Sequence, residues 1–339
     1  MKNKYYSNKT NENGETTIIL HCFPTLYRYQ SVNPHSVSAL LNDELWGSLP
    51  TIFNDPYDSI FCYNSSKIKS ALLAKLKKRD IEEFKTLFRS NNKKELVNKL
   101  MLNILGNFNN CLRQTYCIAC FSERFDSEIM WGHYADSAKG FVVAYDGKEL
   151  DDIAFSKSKE FYEFIKSSNF FNIDFSNIPE FNLKTVAPVV YSSGKCNVTS
   201  EIIDTIDNIL NYCDNLCGGM NRFEADRILY DKTMGNGCNS QANQEKIYSA
   251  LYNKSKEWKY EKEWRVWSYN TNILTGQINN PHVLIGNNAK AKAIYLGEKI
   301  SEYNRIAMTE IAKRKNIPIY IMKTIMLKNN CKLVRELIK

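Results

Sequence analysis

The sequence predicts an α+β fold with a mixed or antiparallel sheet. Short strand-like segments are scattered among helical segments of unequal length, without regular strand–helix–strand spacing. The composition is 43% hydrophobic and 24% charged over 339 residues, with only 14 Gly and 8 Pro, which argues against a disordered or fibrous chain. No internal repeat is visible. We therefore expect one globular core.

The first 60 residues predict strands and one helix. The first strand is expected at 17–21 or 26–29. Asn33-Pro34 is typical of a helix start, and apolar residues then recur three and four apart. A strand at 45–48 ends before Pro50, and the turn-rich segment 53–58 follows.

Segment 67–99 carries most of the chain's net charge of +8. It contains eleven Lys or Arg against four acids, and its apolar residues recur at helical spacing. This pattern predicts an amphipathic helical pair with a basic outer face, which is either a solvated surface or an RNA- or DNA-binding patch. The candidate nucleic-acid-binding residues are Lys75, Lys77, Lys78 and Arg79.

The rest of the chain alternates between strands and helices. Segment 147–184 has no clean period, so we expect an irregular insertion there, and 200–257 predicts helices broken at 218–219 and 235–243. The predicted strands are 116–121, 141–145, 186–191, 264–268, 282–285, 293–296 and 317–322, and the predicted helices begin near 126 and span 301–315.

These elements predict one catalytic domain over 26–325. A basic helical insertion over 62–114 and a second insertion over 147–257 interrupt it, with an N-terminal extension at 1–25 and a C-terminal tail at 326–339. No apolar run resembles a secretory signal or a bilayer span, so we expect a cytoplasmic protein without membrane contact. The ten cysteines are expected to be reduced thiols, and we expect no metal.

Five clusters of polar and aromatic residues stand out where common nucleotide signatures are missing. The sequence has no GxGxxG after a strand, no GxxxxGK[ST] and no HExxH, which disfavours a Rossmann dehydrogenase, a P-loop enzyme and a zincin. The clusters are 26–31 (LYRYQS), 53–58 (FNDPYD), 120–123 (CFSE), 130–136 (MWGHYAD) and 260–265 (YEKEWR).

In this order, and joined by Lys139-Gly-Phe141, the clusters resemble a bacterial family known as domain of unknown function 2971, over about 26–322. The family label implies no activity. The order of an arginine, a serine and a Glu-x-Glu on successive strands also resembles R-S-E ADP-ribosyltransferases, here Arg28, Ser122 and Glu261-Lys262-Glu263. That resemblance implies a split α+β core that binds NAD without a Rossmann fingerprint.

The residue types suit cleavage of the nicotinamide–ribose bond. Glu263 would bind a ribose hydroxyl as an oxocarbenium-like centre forms, and Glu261, on the same strand face, would position or deprotonate the acceptor. Arg28 would hold the diphosphate, and Ser122 would orient Glu263 or the ribose. The remaining candidate cofactor-binding residues are Tyr29, Asn54, Trp131 and Tyr134, of which the last two would wall the pocket.

Structural roles compete with each of these assignments. Arg28 would otherwise pair with Asp55 or Asp58 and pin a loop. The Glu261–Glu263 run would be a solvated strand edge, although the neighbouring tryptophans indicate partial burial. Aromatic residues of the fourth cluster would be core packing, His133 would be a hydrogen-bonded structural residue, and Asn54 would form a turn.

The leading prediction is an NAD-dependent ADP-ribosyltransferase that modifies a macromolecule, with RNA or DNA as candidate acceptor. Such an enzyme would act as a toxin or phage-defence effector and would be neutralised by an antitoxin partner. Two alternatives stay open. One is a nucleic-acid-binding or interaction protein without catalysis, and the other is a metal-independent nuclease that uses His133 and Glu263.

Overall fold

The computed structural model describes residues 4–10, 16–167, 185–194, 196–220, 249–273, 276–277, 279–328 and 330–338. Its strands are β1 (Tyr6–Thr10), β2 (Thr16–Leu20), β3 (Thr25–Gln30), β4 (Leu45–Ser48), β5 (Tyr116–Ser122), β6 (Phe141–Asp146), β7 (Val186–Pro188), β8 (Val190–Ser192), β9 (Asn253–Ser255), β10 (Glu263–Tyr269), β11 (His282–Gly286), β12 (Ala293–Leu296), β13 (Ile319–Leu327) and β14 (Asn330–Leu337).

The helices of these residues are α1 (Pro34–Leu41), α2 (Ser65–Leu76), α3 (Ile81–Leu87), α4 (Lys93–Thr115), α5 (Glu128–Tyr134), α6 (Gly147–Ser167), α7 (Thr199–Cys217) and α8 (Glu302–Lys315), with short 3-10 turns at Pro50–Ile52, Lys256–Glu261 and Thr271–Ile273. None of the helices described is both long enough and apolar enough to cross a membrane.

The main sheet is mixed, as the sequence predicts. Among the described residues it has ten strands, in the order β11-β4-β5-β3-β6-β12-β13-β14, with β10 and β7 attached through β5. Within this sheet the β12–β13 pair is parallel, and the other strand pairs are antiparallel. The α+β class is confirmed at this level.

Strand β5 has different partners on its two edges. On one edge it pairs along its whole length with β10, with Ser122 opposite Glu263. On the other edge it meets β3 at Ser122 and β4 at Ile118. Strands β3 and β4 therefore diverge along one edge of β5, and a cleft opens around this fork.

Two large apolar cores cover the sheet. The first contains Phe141 and Trp264 and includes residues from α6 and α8. The second joins α2, α3, α4 and α7 to Trp267 on the sheet. The basic insertion and α7 thus form one helical layer, since each helix buries its apolar stripe against the others.

Segment 147–167 differs from its prediction as an irregular insertion. It forms α6, whose buried residues Leu150, Ala154 and Ser158 are four apart. Polar residues at the sheet-facing positions obscure this helical period in the sequence. Residues 168–184, and the predicted break at 235–243, lie outside the described residues.

The two ends of the chain are more ordered than an extension and a tail. Strands β1 and β2 form a hairpin, and Tyr6 packs edge-on against Trp264 with ring centroids 5.9 Å apart. At the other end β14 pairs with β13, from Leu327 opposite Asn330 onward. Pairing satisfies backbone groups that a free tail would leave to water.

Several predicted elements are confirmed closely. Helix α1 begins after Asn33, whose side chain accepts a hydrogen bond from the amide of Ser36 at 2.9 Å. Strands β4, β5, β6, β11 and β12 lie within a residue of their predicted bounds. The predicted strand 186–191 is divided at Val189 into β7 and β8.

Candidate functional site

The fork between β3 and β4 opens into a cleft of about 980 Å³, including the part that is open to solvent. Its walls come from three adjacent strands, the 53–58 segment, α5 and the turn before β10. The part that a water-sized sphere can occupy is about 270 Å³, near the lower limit of typical small-molecule sites. The predicted site residues that line it are Arg28, Tyr29, Asn54, Tyr134, Glu261 and Glu263.

Arg28 is a partly buried cation without an acidic partner among the described residues. Its Nη2 donates to the carbonyl of Trp46 at 2.7 Å, and its guanidinium lies 5.7 Å from the ring centroid of Phe121. Burial lowers its pKa, and no neighbouring carboxylate offsets this effect. The competing role of Arg28, an ion pair that pins the 53–58 loop, is therefore wrong.

A buried ion-pair network forms one side of the cleft. Lys254 Nζ lies 2.5 Å from Glu261 Oε2, 2.9 Å from Glu263 Oε2 and 3.9 Å from Asp58 Oδ2. Arg265, which is 0% exposed, donates from Nε to Glu263 Oε1 at 2.8 Å. It also binds both carboxylate oxygens of Asp58, at 2.8 and 2.5 Å. These contacts fix the carboxylates rigidly, because each is held from two directions.

The network separates the pKa values of two neighbouring carboxyl groups. Burial, followed by the charge of Glu263, raises the pKa of Glu261 to about 7. Burial would also raise the pKa of Glu263, but Arg265 and Lys254 outweigh it and lower that pKa to about 2. Opposite shifts in adjacent acids are typical of sites that need one ionised carboxylate and one proton carrier.

Glu261 reaches the cleft by a different route than the sequence predicts. The two glutamates do not share a strand face, because β10 begins at Glu263 and Glu261 ends a 3-10 turn. Lys262 between them is left-handed, with φ 48°. Tyr134 nevertheless donates to Glu261 Oε1 at 2.5 Å, which joins α5 to the network.

Ser122 and Trp131 have structural contacts. Ser122 Oγ donates to the carbonyl of Glu261 at 2.7 Å and accepts from the amide of Arg124, so it holds the turn before β10. Trp131 belongs to a small core cluster and donates from Nε1 to the carbonyl of Phe125 at 2.7 Å. The competing interpretation of Trp131 as core packing is confirmed, and Ser122 positions Glu261 through its backbone.

The 53–58 segment combines turn formation with cleft lining. Asp55 Oδ1 accepts from the amide of Tyr57 at 2.9 Å, as expected for an Asx turn. The other oxygen of this carboxylate, Oδ2, is buried and has no hydrogen-bond donor in the described structure. Asn54 also lines the cleft.

Cys120 lines the cleft, whereas Cys117 is buried in the core, in agreement with strand alternation. Cys120 is exposed to the cleft, and desolvation by the surrounding walls, followed by the charge of Glu263, raises the pKa of its thiol well above the usual value. A protonated thiol is a poor nucleophile. Within the described ranges, no three His, Cys, Asp or Glu side chains are placed to hold a metal ion.

Two of the four residues of the predicted basic patch form ion pairs with a neighbouring helix. Lys75 forms an ion pair with Asp207 on α7 at 2.8 Å, and Arg79 pairs with Asp214 of the same helix. Lys77 and Lys78 remain exposed. Two of the four residues therefore hold α7 against the basic insertion. The sequence did not predict this, because it does not reveal that the acidic helix α7 lies beside the insertion.

Sequence reasoning missed Asp58, Lys254 and Arg265. The first and last belong to clusters that stand out in the sequence, and Arg265 lies two residues after Glu263 in a strand flanked by tryptophans. That alternation could have indicated a buried ion pair. Lys254 has no such signal, since only the β8–β9 pairing carries it to the cleft.

Comparison with known protein families finds a match over part of the chain. Residues 130–266 match the model of a family described as "Protein of unknown function (DUF2971)". This range includes most of α5 together with Glu261 and Glu263, whereas Arg28 and the 53–58 segment lie outside it. No curated protein and no solved structure matches the chain. The findings support a relationship to that family through the half of the cleft that carries the two glutamates.

Proposed function

We propose that the protein is an NAD-dependent ADP-ribosyltransferase that modifies a macromolecule. One observation carries this proposal: Arg28 and Glu263, far apart in the sequence, line the same cleft on strands that both pair with Ser122. The order arginine, serine, glutamate across three adjacent strands agrees with the resemblance to R-S-E transferases.

The separated pKa values suit the two carboxyl groups to different roles. Glu263, with a pKa of about 2, is ionised at neutral pH and can accept a hydrogen bond from a ribose hydroxyl as positive charge develops at C1′. Glu261, with a pKa of about 7, exists in both protonation states and suits a general base.

The transfer step exchanges one bond to the ribose for another. The bond between C1′ and the nicotinamide nitrogen breaks, and its electron pair leaves with neutral nicotinamide. An acceptor oxygen or nitrogen forms a bond to C1′, and its proton moves to the ionised form of Glu261. The step needs no oxidant, since charge and atoms balance between NAD, the acceptor and this carboxylate.

Arg28 and the aromatic walls suit the rest of the dinucleotide. A guanidinium without a carboxylate partner retains its capacity to bind a diphosphate through two parallel hydrogen bonds. Tyr27, Tyr29, Phe53 and Trp258 supply ring faces in the cleft for a planar base or the nicotinamide.

Nucleic acid is the acceptor that we propose to test first, because Lys77 and Lys78 remain exposed on the basic helical layer. An enzyme that consumes NAD to modify RNA or DNA would suit a toxin or phage-defence effector restrained by an antitoxin protein. The nuclease alternative receives less support, since His133 is exposed and does not line the cleft.

The test incubates the protein with NAD labelled in its adenylate half and with total RNA, DNA or lysate protein. Arg28→Gln and Glu261→Gln should each reduce label transfer at least about tenfold, because each removes a charge that the proposed step uses. Arg28 and Glu261 contact different parts of the proposed substrate, so both losses are expected independently.

Glu263→Gln is a weaker test by itself, because it leaves Arg265 and Lys254 without part of their buried counter-charge and is expected to destabilise the fold. Asp152→Ala, which removes an exposed aspartate on α6, is the control and should transfer label as wild type does, and thermal melting checks the folding of every variant. Absence of label transfer from wild-type protein to every acceptor class, or NAD-independent fragmentation of the nucleic acid, would contradict the proposal.

A further inference from the structure

Two charges of opposite sign remain uncompensated after the charged side chains of the cleft are paired. Asp58, Glu261 and Glu263 are bound by Lys254 and Arg265. Arg28 and Asp55 also line the cleft, and neither forms an ion pair among the described residues. A ligand that satisfies both must carry an anionic group and a hydrogen-bond donor.

Asp55 has a buried carboxylate oxygen that lacks a hydrogen-bond donor among the described residues. The residue is 7% exposed, and its Oδ1 already accepts the amide of Tyr57. Its Oδ2 is buried and reached by no donor in the described structure. A buried carboxylate oxygen without a donor is costly, so a ligand hydroxyl that reaches it gains more than the same hydroxyl gains in water.

We propose that the cleft binds a nucleoside diphosphate moiety with its phosphates on Arg28 and a ribose hydroxyl on Asp55. The guanidinium matches a diphosphate, and in such a ligand the nearest hydrogen-bond donors are the ribose hydroxyls. Aromatic walls such as Phe53 and Trp258 accommodate the base. Because Oδ2 is covered, the contact requires the surface segment 53–58, where Tyr57 is exposed, to shift as the ligand binds.

This inference rests on the proposed function for the identity of the ligand and extends it by assigning a residue that the R-S-E resemblance does not include. It also concerns binding alone, without any transfer. The probes are therefore ADP and 2′,3′-dideoxy-ADP, which differ only in the ribose hydroxyls.

The experiment measures the affinity of both probes by calorimetry for wild type, Asp55→Ala and Arg28→Gln. Wild type should bind ADP at least about tenfold more tightly than the dideoxy analogue, since a hydrogen bond to a charged group has this strength. Asp55→Ala should bind both probes equally, whereas Arg28→Gln should weaken both and keep the ratio.

Asp152→Ala, which removes an exposed aspartate on α6, is the matched control and should behave as wild type. If Asp55→Ala does not fold, Asp55→Asn replaces it and should at least halve the ratio between the two probes. An unchanged ratio in the folded Asp55 variant, or no preference in wild type, would overturn the inference. If label transfer persists in that case, only the role of Asp55 is contradicted and the proposed function stands. If wild type prefers ADP but transfers no label, the proposed function is contradicted and the role of Asp55 stands.

Discussion

The helical layer and the cleft both concentrate charge, but they differ in how the charges are compensated. On the helical layer Lys75 and Arg79 are neutralised by acids of α7, whereas Lys77 and Lys78 are open to water. In the cleft the charges are buried, and Arg28 and Asp55 keep no ionic partner among the described residues. Water compensates a surface charge at little cost, whereas a buried one depends on protein or ligand.

The comparison shows that local net charge is a poor guide to a site. In the segment with the largest excess of positive charge, part of that charge forms ion pairs that pack one helix against another. The cleft, whose acids and bases nearly balance, contains the shifted pKa values and the unmet hydrogen-bonding capacity.

The largest expected effect breaks the buried network. Arg265→Met removes the partner of both Asp58 and Glu263 and leaves three buried carboxylates, those two and Glu261, with one lysine. We expect a loss of about 3–5 kcal/mol in the free energy of unfolding, measured by urea denaturation. Arg79→Met, the same change at a partly exposed ion pair of the helical layer, should cost less, about 1 kcal/mol. Equal losses in the two variants would remove the contrast.

A second prediction concerns pH and Glu261. Its pKa is about 7 in the folded protein against an ordinary 4.5, so the folded state holds a proton that the unfolded state releases between these values. Its contribution to stability is present below pH 4.5 and is lost as pH rises towards 7. In Glu261→Gln this loss is absent, so the stability of the variant relative to wild type should increase from pH 5 to pH 8.

Urea denaturation of both proteins at pH 5, 6, 7 and 8 measures this difference. Glu263 does not interfere, because its lowered pKa of about 2 confines its own loss of stability to more acidic solutions. A constant difference between variant and wild type over this range would show that Glu261 is ionised throughout.

The smallest effect is expected on the helical layer. If RNA binds there, Lys77→Ala with Lys78→Ala should weaken binding and flatten its salt dependence by about 0.9 in logarithmic slope for each lost phosphate contact. Lys75→Ala should change the slope less, because Asp207 already occupies that ammonium group. Fluorescence anisotropy with a labelled RNA, at salt concentrations between about 50 and 200 mM, measures these slopes. Identical slopes in all variants would remove the patch from the proposal.

The sequence predicted local features of the site better than its connections. The helix start at Asn33, the strand bounds and the presence of Arg28 and Glu263 in one cleft follow from patterns that span a few residues or from motif order. The strand geometry of Glu261 did not follow, because a left-handed Lys262 reverses the alternation that a strand would impose. Helix α6 was missed because polar residues interrupt its apolar stripe.

The sequence by itself determined the α+β class, the basic character of the helical insertion and three of the charged residues that line the cleft, Arg28, Glu261 and Glu263. Tertiary structure alone decided which charges are compensated. Lys254 lies between two glutamates, Arg265 forms an ion pair with Asp58, and Arg28 has no acid beside it among the described residues. The reason is physical, since periodicity and capping act between near neighbours in the chain, whereas compensation of charge depends on distances that only packing sets.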